Sequence, residues 1–520
     1  MHVLILIIEL LLAPVALALA ALLVNIVRGV LSRIAKHAAL RSIQGPPRTS
    51  LLAGNLHELY DVGGLPHLEA LTDYGGVAKV HGLFGDVLLA ISDPLALTHI
   101  LVTDVHDFPA LDLSGTLDIN YFLLGPGLLS TNGPEHRRQR KLMNALFSHA
   151  RMRDLMPLML EISGQLRDSI LSGMTGDEAK LPRGLDIDMA EELGRAALEF
   201  IGRAGLGHTF HAFEGTGDKY VHAVKDLIPT FAVLGPFVPL FVMSGASRLP
   251  PSLLRVMGKA TSLIVPPLRH LLQLVDLMND EMGAICEALK ISHKEGPHEA
   301  IMSALVEANE EGQISDEELT AQAITLLIAV QDKLRREITQ SVASSDVHTE
   351  EPGYDTLMSL PYLDSVCKET LRLFAPTPLR NRRCIKDSAV PLLGGKKVYV
   401  PSGTEILVNI HGPNTDVHIW GTDAKVWRPE RWLEALLPSV TEVPGVYSNI
   451  LSFLAGPKAC IGLNFALLEM KVVLATLLPV FRFELPVDHE IEWRFGQTIT
   501  PNVKAENGLN PRMPLHVEAL

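Results

Sequence analysis

Phe453-Leu454-Ala455-Gly456-Pro457-Lys458-Ala459-Cys460-Ile461-Gly462 places a cysteine between a Gly/Pro loop and the start of an apolar helical pattern. Loop amides and a helix N-terminus present unpaired N–H donors and a positive dipole end. Both stabilise a thiolate. Lys458 adds a cation two residues away. A thiolate so placed serves as a nucleophile, a redox thiol or a metal ligand. A buried inert cysteine has the same local spelling, and the loop alone leaves these readings open. Glu369 and Arg372 stand at i, i+3 on one helical face; at a surface such a pair contributes little. Arg140 lies in Glu135-His136-Arg137-Arg138-Gln139-Arg140-Lys141, a run whose spacing equally suits a solvated basic helix face.

These residues need elements to hold them. Residues after Phe453 read as a loop leading into a helix, NFALLEMKVVLATLLPVF. Residues 135–240 read mostly as helices, and Val77 to Ser92 as a hairpin around Gly82 and Gly85. Residues 389–410 read as hairpin-like, with Gly394-Gly395 at a turn. Ser315-Asp316-Glu317-Glu318 is a capping box that opens LTAQAITLLIAV, apolar nearly all round and so expected to be buried. It changes without a turn residue into the surface pattern Gln331-Asp332-Lys333-Leu334-Arg335-Arg336-Glu337.

The 520 residues carry a net charge of −14, with 47% apolar and 20% charged residues. This builds a sizeable core and excludes a mainly disordered chain. The acidic balance argues against nucleic-acid binding. Four cysteines (Cys286, Cys367, Cys384, Cys460) make no disulfide scaffold and suit a reducing compartment.

Residues 3–27 form an apolar run with one charge, Glu9, and one proline, Pro14, and about 20 apolar residues span a bilayer. Arg28, Arg33, Lys36 and Arg41 follow it and no Lys or Arg precedes it, which places the rest of the chain on the cytosolic side. A cleaved signal peptide fits less well, since the run is long and lacks a leading cation. Gly45-Pro46-Pro47-Arg48 is stiff and extended. The expected division is a transmembrane anchor over 3–27, a basic, Pro-rich hinge over 28–50 and one catalytic domain over 51–520. The apolar stretch 228–243 reads either as core or as a loop dipping into the membrane beside the anchor.

The loop F-x-x-G-x-[RK]-x-C-x-G resembles the haem-ligand loop of the cytochrome P-450 family. Three further motifs agree in order. Glu369-Thr370-Leu371-Arg372 is similar to the family's E-x-x-R, and Trp427-Arg428-Pro429-Glu430-Arg431-Trp432 to its P-E-R segment. Glu135 to Lys141 resembles the helix whose W-x-x-x-R faces the haem. The resemblance covers almost the whole chain. It implies a mainly α fold with a small β-sheet portion and haem b with Cys460 as the axial ligand of iron. Arg140, Arg382, Lys458 and His136 are then the propionate contacts, with Phe453 and Gly456 shaping the loop. Glu369, Arg372 and Arg431 become a structural network. A haem held by thiolate favours O–O cleavage, so the implied activity is a monooxygenase of microsomal type in fungal specialised metabolism. Electrons would come from an NADPH-dependent flavoprotein reductase, for which Lys368, Lys425, Arg428 and Lys458 are candidate docking cations. The implied place is the endoplasmic reticulum membrane, single-pass, with the catalytic domain cytosolic. Family position puts Phe108–Gly133, 228–243 and Ala375-Pro376-Thr377-Pro378 around a lipophilic substrate: a terpenoid, fatty acid or aromatic polyketide.

The sequence departs from the family in three places. Lys458 stands for the more usual Arg and His136 for the more usual Trp. The central-helix motif [AG]-G-x-[DE]-T-T, whose acid and alcohol deliver protons, is absent. Its place is the junction Ala329–Val330, where roughly thirty residues, about 45 Å of helix, are missing. Thr320 and Thr325 precede it without a suitably placed acid, so no catalytic residue is assigned. The central helix is read as truncated. The alternatives are a haem-thiolate isomerase or dehydratase that needs no dioxygen, or a catalytically impaired haem-binding protein.

Overall fold

In this computed structural model the described residues are 29–61, 63–111, 125–174, 184–214, 251–293, 354–485, 489–495, 499–504 and 511–519, with Val27 and scattered positions from 220 to 234. The first long helix, α1, runs over residues 29–39. The apolar patches flanking Gly82 and Gly85 form the expected hairpin, β1 (Val77–His81) antiparallel to β2 (Val87–Ile91), with Phe84 and Gly85 at positive φ in the turn. The basic run lies on a helix, α2 (Gly133–Asn144), entered through Gly133 at φ +62° and Pro134, whose missing N–H costs nothing in a first turn. Then follow α3 (His149–Met174), the short strand β3 (Leu185–Asp188) and α4 (Met189–Glu199). The strand is the exception within the mostly helical reading of 135–240. It exists because its partner, β8 (Pro514–Ala519), arrives from the far C-terminal part of the chain.

Helices α5 (Pro251–Ser262), α6 (Pro266–His293) and α7 (Pro361–Leu373) complete the helical body before the Cys460 loop. Strands β5 (Ser388–Pro391) and β6 (Lys397–Val400) make the hairpin expected at Gly394-Gly395, both glycines at positive φ. Strand β7 (Glu405–Asn409) leaves that hairpin. It pairs parallel to β2 and antiparallel to β4 (Leu379–Arg383), giving the sheet order β1-β2-β7-β4.

Helix α8 (Leu463–Leu477) is sandwiched between two cores. Phe465, Leu468 and Val472 pack with α3, α4 and α6, whereas Ala466, Leu467, Met470 and Leu474 pack with β2, β7 and α7. Its buried Lys471 is matched by Asp364 at 2.8 Å and by the Met358 carbonyl at 3.0 Å. A buried charge is tolerated when paired in this way. Helix α8 therefore fixes the loop that precedes it from both sides.

The fold is mainly helical with small sheets, as expected. Among the described residues no helix is long and apolar enough to cross a membrane. The anchor proposed over 3–27, apart from Val27, lies outside the described residues. So do the capping box at 315–318, the Ala329–Val330 junction and most of 228–243.

Candidate active site

Two short 3₁₀ turns, Leu451–Phe453 and Gly456–Lys458, carry the chain to Cys460. The Cys460 N–H donates to the Phe453 carbonyl at 2.9 Å, folding the loop back on itself. Phe453 is buried and meets the Tyr447 ring edge-on at 5.7 Å. Gly456 has φ +66°, and a Cβ there would sit 1.9 Å from the Leu101 carbonyl oxygen. Only glycine allows both the conformation and the close approach. Cys460 itself is half-buried, is in no disulfide, and stands just before Gly462, the N-cap of α8.

Four nitrogen-bearing side chains converge on this loop. Arg140, from α2, donates through Nη1 to the Ala459 carbonyl at 2.5 Å. Lys458 Nζ donates to the Thr131 carbonyl at 2.5 Å and to that of Leu128 at 3.5 Å. Arg382, on β4, is buried; Nη1 reaches the Asn381 carbonyl, while Nε has no hydrogen-bond partner. His136 is buried one helical turn before Arg140.

Their electrostatics share one cause. Burial, then Arg382 and Arg140, hold the Lys458 ammonium down to about 7. Burial, then Lys458 and Arg140, hold His136 down to about 3, and burial with Arg380 lowers Arg382 to about 10. Burial also lowers Arg140, while Cys460 acts on it in the opposite sense. Among the described residues no carboxylate pairs with any of the four. A partly buried cluster of two guanidiniums and one amine that repel one another, with an orphaned guanidinium N–H on the buried Arg382, suits an anion. The two propionates of haem meet that need, so these residues fit the group.

Behind the loop the predicted network is present and larger than the sequence suggested. Glu369 and Arg372 are fully buried and joined by two bonds of 2.8 and 2.9 Å. Arg372 also donates to the carbonyls of Asn414 and Ala424, and its guanidinium stacks 4.9 Å from the Trp420 ring. Arg431 reaches Glu369 at 3.4 Å and Asp423 at 2.9 Å. The Arg428 amide and the Trp432 indole add donors to Glu369 at 3.0 Å each. Burial alone raises the Glu369 carboxyl, but these donors, Arg372 foremost, hold it below the usual carboxylate range. Asn414 then links the network to the loop, its side chain accepting from the Leu451 amide and donating to Ser452. Asp423, Asn414 and Trp432 are the participants that sequence reasoning missed. Only Trp432 carried a signal, by its place beside Arg431 in the P-E-R segment.

The four proposed docking cations do not form one free basic face. Lys368 is paired with Asp364 at 2.6 Å, Lys425 with Glu69 at 2.9 Å and Arg428 with Asp423 at 2.9 Å. Lys458 points inward, as above. Of the proposed substrate segments, Phe108, Leu128 and Ala375 are core residues, and 112–124 lies outside the described residues.

Comparison with known proteins agrees with the motifs. The sequence model of the family described as cytochrome P-450 matches in two stretches, residues 44–329 and 329–505, which meet at Ala329. Cytochrome P-450 monooxygenase 91 of Postia placenta is 36% identical over 537 aligned positions, covering 95% of this chain and 96% of the relative. Monooxygenase 81 of the same fungus is 35% identical, covering 94% of each chain. A ganoderic acid synthetase of Ganoderma lucidum is 34% identical, covering 94% and 96%. Since 95% of 520 residues is about 494, about 43 of the 537 positions aligned with monooxygenase 91 set a residue of the relative against a gap here.

Proposed function

Because the chain belongs to the cytochrome P-450 family, we propose that it binds haem b through Cys460 and inserts one oxygen atom from dioxygen into a lipophilic small molecule. The observation that carries this reading is the partly buried cluster of Arg140, Arg382 and Lys458 around the Cys460 loop, with no carboxylate paired to it among the described residues. A haem held by a thiolate supplies dioxygen activation, with electrons from NADPH by way of a flavoprotein reductase.

The chain's own residues bind and orient. Cys460 offers a thiolate from a loop pinned at Gly456 and at the α8 N-terminus. Arg140, Arg382, Lys458 and His136 would hold the two propionates, which would offer an acceptor to the unpartnered Nε of Arg382. Arg suits a carboxylate through two parallel bonds, whereas Lys458 acts as a point charge. Neutral His136 still has one N–H to donate. The Glu369–Arg372–Arg431 network keeps the loop in register and takes no part in the chemistry. The fungal relatives support a role in specialised metabolism; the apolar composition of the proposed substrate segments suits a lipophilic substrate, a terpenoid, fatty acid or aromatic polyketide. Residues 3–27 are the proposed anchor, in the endoplasmic reticulum membrane with the body in the cytosol.

A second reading is favoured by one finding. The family match breaks at Ala329, where the acid–alcohol motif is absent. The chain is then impaired in proton delivery, or performs an isomerisation or dehydration that needs neither dioxygen nor NADPH. Turnover of a panel of the three substrate classes under ¹⁸O₂, with reductase and NADPH, separates the readings. We expect a product that gains one ¹⁸O and requires NADPH. A product formed without NADPH and without label would overturn the monooxygenase reading.

A further inference from the structure

The loop before Cys460 holds a conformation that its own residues do not favour. Leu454 has φ +62° and ψ −163°, a region that side chains rarely enter. Such a residue persists only where its surroundings fix it. The turn that delivers it, Leu451–Phe453, is tied at its first two residues to one buried side chain, Asn414. Asn414 Oδ1 accepts from the Leu451 amide at 2.8 Å, and Nδ2 donates to Ser452 Oγ at 3.0 Å. Ser452 Oγ donates in turn to the Leu371 carbonyl on α7. The backbone carbonyl of Asn414 accepts from Arg372 at 2.7 Å. At the end of the same turn, the Phe453 carbonyl takes the Cys460 amide at 2.9 Å. The short helix that carries Asn414, His411–Thr415, is itself held from three other directions. The Ile410 amide donates to the Pro378 carbonyl at 2.8 Å, His411 Nε2 meets Glu69 at 3.2 Å, and the Trp420 indole donates to the Pro413 carbonyl at 2.8 Å. A Cβ at Gly412 would come within 2.9–3.1 Å of Asn409, Ser92 and Thr72, so the helix is closely packed at its start.

We infer that Asn414 is a positioning residue for the Cys460 thiolate: it clamps the Leu451–Phe453 turn and so keeps Leu454 in its strained conformation and the Cys460 amide in place. The inference rests on the reading of Cys460 as the haem ligand. An apolar side chain of similar size at 414 leaves the Leu451 amide and the Ser452 hydroxyl without their partner. The turn then relaxes toward an ordinary conformation at Leu454, and the Phe453 carbonyl that holds Cys460 moves with it. A sulfur held less firmly gives less charge to the iron, since the groups behind a metal ligand set its orientation and donor strength.

The test compares the full-length haem-loaded wild type with Asn414→Leu, Ser452→Ala and Trp432→Phe. The last removes the indole donor from Glu369 and leaves every bond of Asn414 intact, so it reports what general weakening of the network does. Three quantities are read: the haem reduction potential, the rate at which the thiolate-type Soret band of the reduced carbon-monoxide complex is lost in mild urea, and the urea midpoint of the helical circular dichroism. Asn414→Leu and Ser452→Ala should raise the potential and lose the band several-fold faster than wild type. Trp432→Phe should lower the midpoint with the potential unchanged. If potential and band loss follow the midpoints alike in all three variants, Asn414 serves stability alone and the proposal falls. If Asn414→Leu does not accumulate, Ser452→Ala decides, and band loss at the wild-type rate overturns the proposal. A wild type without the thiolate-type band would defeat the reading of Cys460 itself, and the proposal with it; a normal wild type beside unchanged variants defeats only the role of Asn414.

Discussion

A chain in which the Ala329–Val330 junction carries a Gly-x-[Asp/Glu]-Thr-Thr segment of the kind the family uses should form product about 10²–10⁴ times faster than the present chain, each normalised to bound haem. Reducing dioxygen consumes protons, and a positioned donor is worth about that factor. The present sequence supplies no such donor: Thr320 and Thr325 lie before the junction and have no suitably placed acid. The family match is interrupted at the same residue, Ala329. A second argument concerns stability. A helical pattern apolar on all sides passes at Val330 straight into Gln331–Glu337, rich in charge. Fusing the two draws charge inward or apolar surface outward, and either costs several kcal/mol. The present chain should therefore waste reducing equivalents as peroxide, and the longer chain should couple them to product. The quantity to compare is product per NADPH consumed. Equal coupling in the two chains would show that the segment is dispensable.

Replacing Arg372 by alanine should remove about 3–5 kcal/mol of stability, because it leaves Glu369 charged, fully buried and without its two-bond partner. The Asn414 and Ala424 carbonyls lose their donor in the same step. Arg138→Ala is the matched control. Arg138 and Glu135 have the same i, i+3 spacing and a 2.7 Å contact, but their side chains are 38% and 45% exposed. A pair of that kind contributes about 0–1 kcal/mol. Urea unfolding with haem content read in parallel distinguishes the two; similar midpoints for both variants would refute the structural role of the network. The sign with pH also follows. Glu369 titrates below the usual range when folded, so its contribution is present above the usual value and is lost as pH falls through the depressed one. The gap between wild type and Arg372→Ala should accordingly narrow in acid.

The parts of the site that were legible in the sequence were those fixed by local spacing. The Cys460 loop, the i, i+3 pair and the basic run on α2 each depend on residues within one or two helical turns. What escaped sequence reasoning was assembled across the chain. The parallel contact of β2 with β7 joins strands more than 300 residues apart, and β3 exists only because β8 comes to it. The ion pairs of the proposed docking cations escaped for the same reason. Glu69 lies far from Lys425 in the chain, yet it holds that lysine at 2.9 Å. The orphaned Nε of Arg382 could not be read either, since it reflects burial of β4 against the Cys460 side of the molecule.

The assignment of Cys460 as the haem ligand is tested most directly by the reduced carbon-monoxide spectrum of the wild type beside that of Cys460→Ala. The wild type should show the red-shifted Soret band of a thiolate-ligated haem. The variant should lose that band, whether it retains haem through Arg140, Arg382, Lys458 and His136 or not. A variant that keeps the same thiolate-type band would contradict the assignment and send the search for the ligand to another residue.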